Sequence, residues 1–182
     1  KVSNHNINLS LFKKENAATT VASTISIASI FGIKFFATGG IGGVHLNAEN
    51  TYDVSSDLYS LSEHSNYVIC SGAKSILDLN KTYELLETLG ITRIGYKTDY
   101  MPGFWYSETK HQVDNNFEKV SDISNFLKLN SKLKHNKSIL IFNKVPEINA
   151  IRKEQINEWI SSALIRAEKN KISGKALTPF LI

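Results

Sequence analysis

Residues 66–98 read "NYVICSGAKSILDLNKTYELLETLGITRIGYKT", and this stretch decides the fold. The run at 66–72 is short, apolar and bounded by small residues, as in a buried strand. Residues 74–90 then carry apolar positions at helical spacing and end on Gly90, a residue suited to the left-handed turn that closes a helix. A second short run at 92–98 reads as another strand. Strand, helix and strand in succession argue for a sheet with helices on its faces.

The alternation extends both ways. Residues 16–32 are rich in small side chains and helix-compatible, with Gly32 as a stop, and 33–38 ("IKFFAT") reads as a buried strand. A short helix is expected over 54–64, a loop around 101–105, a helix near 120–133 and a fourth strand at 138–143. The last long helix covers about 151–170, where Ile156, Trp159, Ile160, Ala163, Leu164 and Ala167 share one face. The expected architecture is α/β, a layered α/β/α domain with a central mixed or mostly parallel sheet, single over 1–182.

Bulk properties narrow the classes. At 182 residues and 42% apolar content the chain can bury one core. No apolar run approaches the roughly 20 residues of a membrane helix, and the polar "KVSNHNINLS" is no signal peptide. Cys70 is the single cysteine, which excludes an internal disulfide framework and suits a reducing, cytoplasmic setting. The net charge of +4 is mild. Its densest cluster, "SKLKHNK" at 131–137, reads as a solvated loop, without the exposed aromatics of a nucleic-acid surface.

The chemistry is concentrated in two turns at the carboxyl ends of strands, where ligands gather in such folds. "ATGGIGGVH" at 37–45 holds Gly39, Gly40, Gly42 and Gly43, but its spacing fails the dinucleotide fingerprint. "SGAKS" at 71–75 fails the Walker loop. Exposed backbone N–H groups there could bind an anion; the bland alternative is a tight turn packed on another element. Lys74 follows small residues at a strand end. In a confined pocket its amine would lose hydration and become a nucleophile; the alternative is a surface lysine in a first helical turn, where a cation is disfavoured. Asp53 and Asp57 flank Ser55. Asp53 suits helix capping, and the two carboxylates would suit a hard cation held through water. His45 alone suits a structural histidine, and Cys70 a buried strand position.

Together, "FFATGGIGGVHLNAENTYDVSSDL" (35–58) and "VICSGAKSILDLNKTYELLETLGI" (68–91) resemble the pseudouridine-5′-phosphate glycosidases, the indigoidine synthase A-like family. "KVS" at 1–3, "NAATTVAST" at 16–24, "IGYKTDYMPGF" at 94–104 and "GKALTPFL" at 174–181 extend the likeness in the same order. The resemblance implies reversible cleavage of the C–C glycosidic bond of pseudouridine 5′-phosphate to uracil and ribose 5-phosphate. A C-glycoside has no leaving oxygen to protonate, so paired carboxylates do not suit it, whereas a lysine imine with the opened sugar provides an electron sink. By resemblance the imine-forming lysine is Lys74, His45 is an active-site histidine, and Asp57 holds Mn²⁺ or another divalent cation, mostly through water. Lys1, Thr20 and Ser55 line the pocket, and Gly39 and Gly40 form its floor. A homotrimer is implied as well. The family's general-acid glutamate and a C-terminal asparagine would lie beyond this sequence, so the chain is expected to lack flanks at both ends. Asn4-His5-Asn6, Ala17, Leu46 and Asn47 depart from the family pattern. The competing expectations are a non-catalytic sugar-phosphate-binding relative and another imine-forming enzyme of the aldolase type.

Overall fold

The structure, a computed structural model, describes residues 1–133, 135–172 and 177–181. Five strands form one sheet in the order β1-β2-β5-β3-β4, and every pairing in it is parallel. The strands are β1 (Phe35–Ala37), β2 (Tyr67–Cys70), β3 (Thr92–Tyr96), β4 (Asn115–Phe117) and β5 (Ile139–Asn143). The helices are α1 (Ile7–Phe12), α2 (Val21–Ile30), α3 (Ala48–Thr51), α4 (Ser56–Glu63), α5 (Leu79–Thr88), α6 (Val120–Lys132), α7 (Lys153–Lys169) and α8 (Leu177–Leu181). Three layers and a parallel sheet match the architecture expected from the sequence.

Alternation along the central strands builds two cores. Val68, Cys70, Leu140 and Phe142 point to one face, where they pack with Ile25 of α2, Leu58 and Leu61 of α4, and Tyr83 and Leu86 of α5. Tyr67, Ile139, Ile141 and Ile94 point to the other, against Ile123 and Leu127 of α6. A side-chain period of two on a sheet covered on both faces produces this division, and it explains why β2 and β5 read as apolar runs.

Several boundaries differ from the sequence reading. Residues 33–38 do not form a buried strand. β1 is a short edge, unpaired on its outer side among the described residues, and Phe35 is 59% exposed. α2 begins only at Val21, because residues 18–20 are drawn out to pair with Val2. α7 buries Ile156 and Ala167, but Trp159, placed on the same face by periodicity, is 52% exposed. α1, α3, α8 and β4 are not expected from the sequence. Of "SKLKHNK", Lys134 lies outside the described residues, while Ser131, Lys132 and Leu133 close the exposed end of α6. Of "GKALTPFLI", residues 174–176 and 182 lie outside them, and Leu181 packs against the main core. Among the described residues no helix is long and apolar enough to cross a membrane.

Candidate active site at the ends of β1 and β2

The turns after β1 and β2 are laced together. Ser71 N–H donates to Gly39 O, Ile41 N–H to Gly72 O, Lys74 N–H to Ile41 O and Asp78 N–H to Val44 O. Lys74 therefore sits in irregular chain, and the helix expected over 74–90 starts only at Leu79, capped by Asp78, whose carboxylate accepts from Lys81 N–H. This removes the reading of Lys74 as a first-turn surface lysine. The side chain is partly buried instead, and its ammonium is held below the ordinary lysine range. Desolvation is the main cause and repulsion from Lys1 the second, with Asp57 opposing both.

Lys1 reaches this spot because the N-terminal segment pairs with the approach to α2: Val2 N–H donates to Ala18 O and Thr20 N–H to Val2 O. Thr20 is the cap of α2, its hydroxyl accepting from Ser23 N–H at 3.3 Å. Ser55 is the cap of α4, accepting from Asp57 N–H at 3.3 Å. Both hydroxyls thus have structural work, and they bring two helix N-termini to the same side of the sheet.

The structure gives Asp57 a structural task. It is 5% exposed, and its Oδ1 and Oδ2 accept from the backbone N–H groups of Ala22 and Gly42, each at 2.8 Å. It is a clamp between α2 and the glycine turn, with the Lys74 ammonium as a charged neighbour. Each oxygen accepts one hydrogen bond and keeps a second lone pair, so a cation held mostly through water is compatible with this carboxylate. Asp53 is not the α4 cap the sequence suggested. Its carboxylate is 41% exposed and lies 3.8 Å from His45 Nδ1, while its carbonyl accepts from His45 N–H. His45 therefore pairs with Asp53, and no hydrogen bond joins it to Lys74 among the described residues. Those residues contain no group of three or more His, Cys, Asp and Glu able to hold a metal. Cys70 is a buried strand residue, as expected, and burial pushes its thiol up to about 12.

The glycines open the turn to this chain's own side chains. A Cβ on Gly40 would fall 2.5 Å from Phe104 Cδ2; one on Gly42 would overlap Ser55 Oγ and Asp57 Oδ2; one on Gly43 would overlap Thr82. Gly40 is buried beneath the Phe104 ring, so it is no open floor for a sugar phosphate, and the packed-turn reading holds for it. Gly39 is exposed and meets that ring only at van der Waals distance. Phe104, whose ring covers Gly40, follows the turn-forming Pro102-Gly103. Asn47, a departure from the family's glycine, has φ +64°, a left-handed conformation that asparagine tolerates better than most residues.

A family model described as "Indigoidine synthase A like protein" matches residues 1–182. Pseudouridine-5′-phosphate glycosidase of Brachyspira hyodysenteriae is 43% identical over 182 residues, all of this chain and 59% of that protein. The enzyme of that name from Escherichia coli is 42% identical over the same span, 58% of its length. Among solved structures, the prealnumycin C-glycosynthase AlnA in complex with ribulose 5-phosphate superposes with TM-score 0.91 at 33% identity, over 99% of this chain and 59% of that one. An indigoidine synthase A (IdgA)-like protein from Thermotoga maritima gives TM-score 0.89 at 33% identity, with the same coverage. The chain thus spans about three-fifths of the length of these relatives. It belongs to the indigoidine synthase A-like family.

Proposed function

We propose that this chain carries the imine-forming half of a pseudouridine-5′-phosphate glycosidase site. The observation that carries the reading is Lys74: a partly buried amine with a depressed pKa, at the carboxyl end of β2, in a chain 42–43% identical to glycosidases of that name. A depressed pKa leaves more of the amine neutral, the form that adds to a carbonyl. In the synthetic direction the amine adds to C1 of open-chain ribose 5-phosphate and water leaves, giving an imine. The nucleophilic carbon of uracil then bonds to C1 while the C=N electron pair moves to nitrogen. Loss of the proton on that uracil carbon restores the base, and ring closure by the sugar hydroxyl releases the lysine. Cleavage is the reverse. Lys1 places positive charge beside Lys74, which suits a phosphorylated sugar.

A divalent cation, Mn²⁺ by family likeness, would be held at Asp57 mostly through water and would supply fixed positive charge. The same reading assigns the protein to the cytoplasm, where Cys70 stays reduced, with uracil and sugar phosphates as its small-molecule partners. It makes the whole protein a homotrimer, which light scattering after gel filtration measures.

The test is intact mass after ribose 5-phosphate and borohydride. A covalent adduct is expected, absent in Lys74→Ala. No adduct from a chain that circular dichroism shows to be folded would sink the reading.

A further inference from the structure

Six non-glycine residues have positive φ among the described residues, and Phe104, at +69°, is the one whose bulky ring packs against the glycine turn. A bulky side chain seldom holds that backbone, which glycine adopts freely, and such outliers gather at functional sites. Surrounding contacts hold this one in place. Phe104 N–H donates to Ser71 O, Gly103 pairs with Gly72, and the Ser75 hydroxyl binds Gly103 O and accepts from Trp105 N–H. These bonds fall on both sides of Lys74 in the chain, so the loop after β3 is stitched to the segment that presents the lysine. The bare backbone of Gly40 makes room for the ring, yet Phe104 is only partly buried. A core-filling phenylalanine would be enclosed and relaxed; this one is strained and partly exposed at the carboxyl end of the sheet.

We propose that Phe104 is the platform on which the planar pyrimidine of the substrate stacks while Lys74 holds the sugar, making it a positioning residue that selects a flat aromatic leaving group. The inference rests on the glycosidase reading above. It concerns the base and leaves the sugar chemistry to Lys74, so the two separate experimentally.

The experiment compares the affinities of pseudouridine 5′-phosphate and ribose 5-phosphate by calorimetry in a Lys74→Ala background, where nothing turns over. The ratio of the two dissociation constants reports what the base contributes. Phe104→Gly keeps the left-handed backbone without the ring, and Phe104→Leu keeps apolar bulk without an aromatic face. Both are expected to reduce the ratio about tenfold to a hundredfold, the scale of one base–aromatic stack, while Phe104→Trp restores it. With Lys74 intact, Phe104→Leu should weaken the borohydride-trapped ribose 5-phosphate adduct far less than it weakens base binding. A ratio unchanged in Phe104→Leu, a ratio near unity in the parent, or an adduct lost in parallel with base affinity would overturn the platform. Absence of an adduct in the unsubstituted chain would instead remove the lysine chemistry, and the platform with it.

Discussion

The turn after β1 and the turn after β2 are bonded to each other from Gly39 and Ser71 to Val44 and Asp78, yet they do different work. The first holds four glycines, and three of them leave space that Phe104, Ser55 with Asp57, and Thr82 fill. The second holds one group that titrates unusually, Lys74, kept partly out of water beside Lys1. One turn is a spool on which the surrounding elements are wound; the other carries the reactive atom. Glycine content therefore marks the support, and the chemistry sits on the neighbour it steadies.

The largest effects should separate the two turns by what they damage. Asp57→Ala strips the partners from the buried N–H groups of Ala22 and Gly42. Each stranded donor costs about 1–3 kcal/mol, so thermal denaturation should show a fall in Tm on the order of 10 °C. Lys74→Ala should do the opposite, abolishing the adduct while leaving Tm unchanged or raised, because it removes a charge that burial disfavours. If Lys74→Ala proved the more destabilising of the two, the division of labour would be wrong.

Within the glycine turn the effects should be graded by position. Gly42→Ala and Gly43→Ala force a methyl into Ser55, Asp57 or Thr82, and overpacking of this kind costs about 1–3 kcal/mol. Gly39→Ala meets only an ordinary contact with Phe104 at 3.5 Å and should stay within about 0.5 kcal/mol of the parent, as surface changes do. Denaturant titration of the three variants checks the order. Equal losses at all three would mean that backbone freedom, rather than space for side chains, fixes the glycines.

The sequence made the central sheet and its neighbours legible because β2 and β5 are runs of apolar residues buried on both faces, and α5 and α6 carry plain helical periodicity. β4 was invisible: "NNF" has no apolar run, and only pairing with β3 makes it a strand. The start of α5 was misplaced because residues 74–77 continue the helical spacing of residues 79–88, although Asp78 with Lys81 three residues on was a readable cap. Lys74 was legible as a residue type in a confined place. The clamp by Asp57 was not, since it joins α2 to the glycine turn across long sequence separations. The strain at Phe104 was equally hidden, because backbone dihedrals imposed by tertiary bonds leave no local pattern.

The smallest effect is the most direct reading of how the two turns cooperate. The Lys74 amine adds to a carbonyl only when neutral, so the rate of adduct formation rises with pH through its pKa, which lies below the ordinary lysine value through burial first and Lys1 second. Lys1→Gln removes the repulsion, lets that pKa rise and moves the rate profile to higher pH; Asp57→Asn, where the fold survives, moves it to lower pH. Stability carries the same signature. Between the folded pKa of Lys74 and its higher unfolded value, the unfolded chain binds more protons, so stability rises with pH across that window. Lys74→Met should flatten this rise, which denaturant titrations at a series of alkaline pH values would show. A rate profile unmoved by Lys1→Gln would leave burial as the sole cause and reduce Lys1 to a ligand for the phosphate.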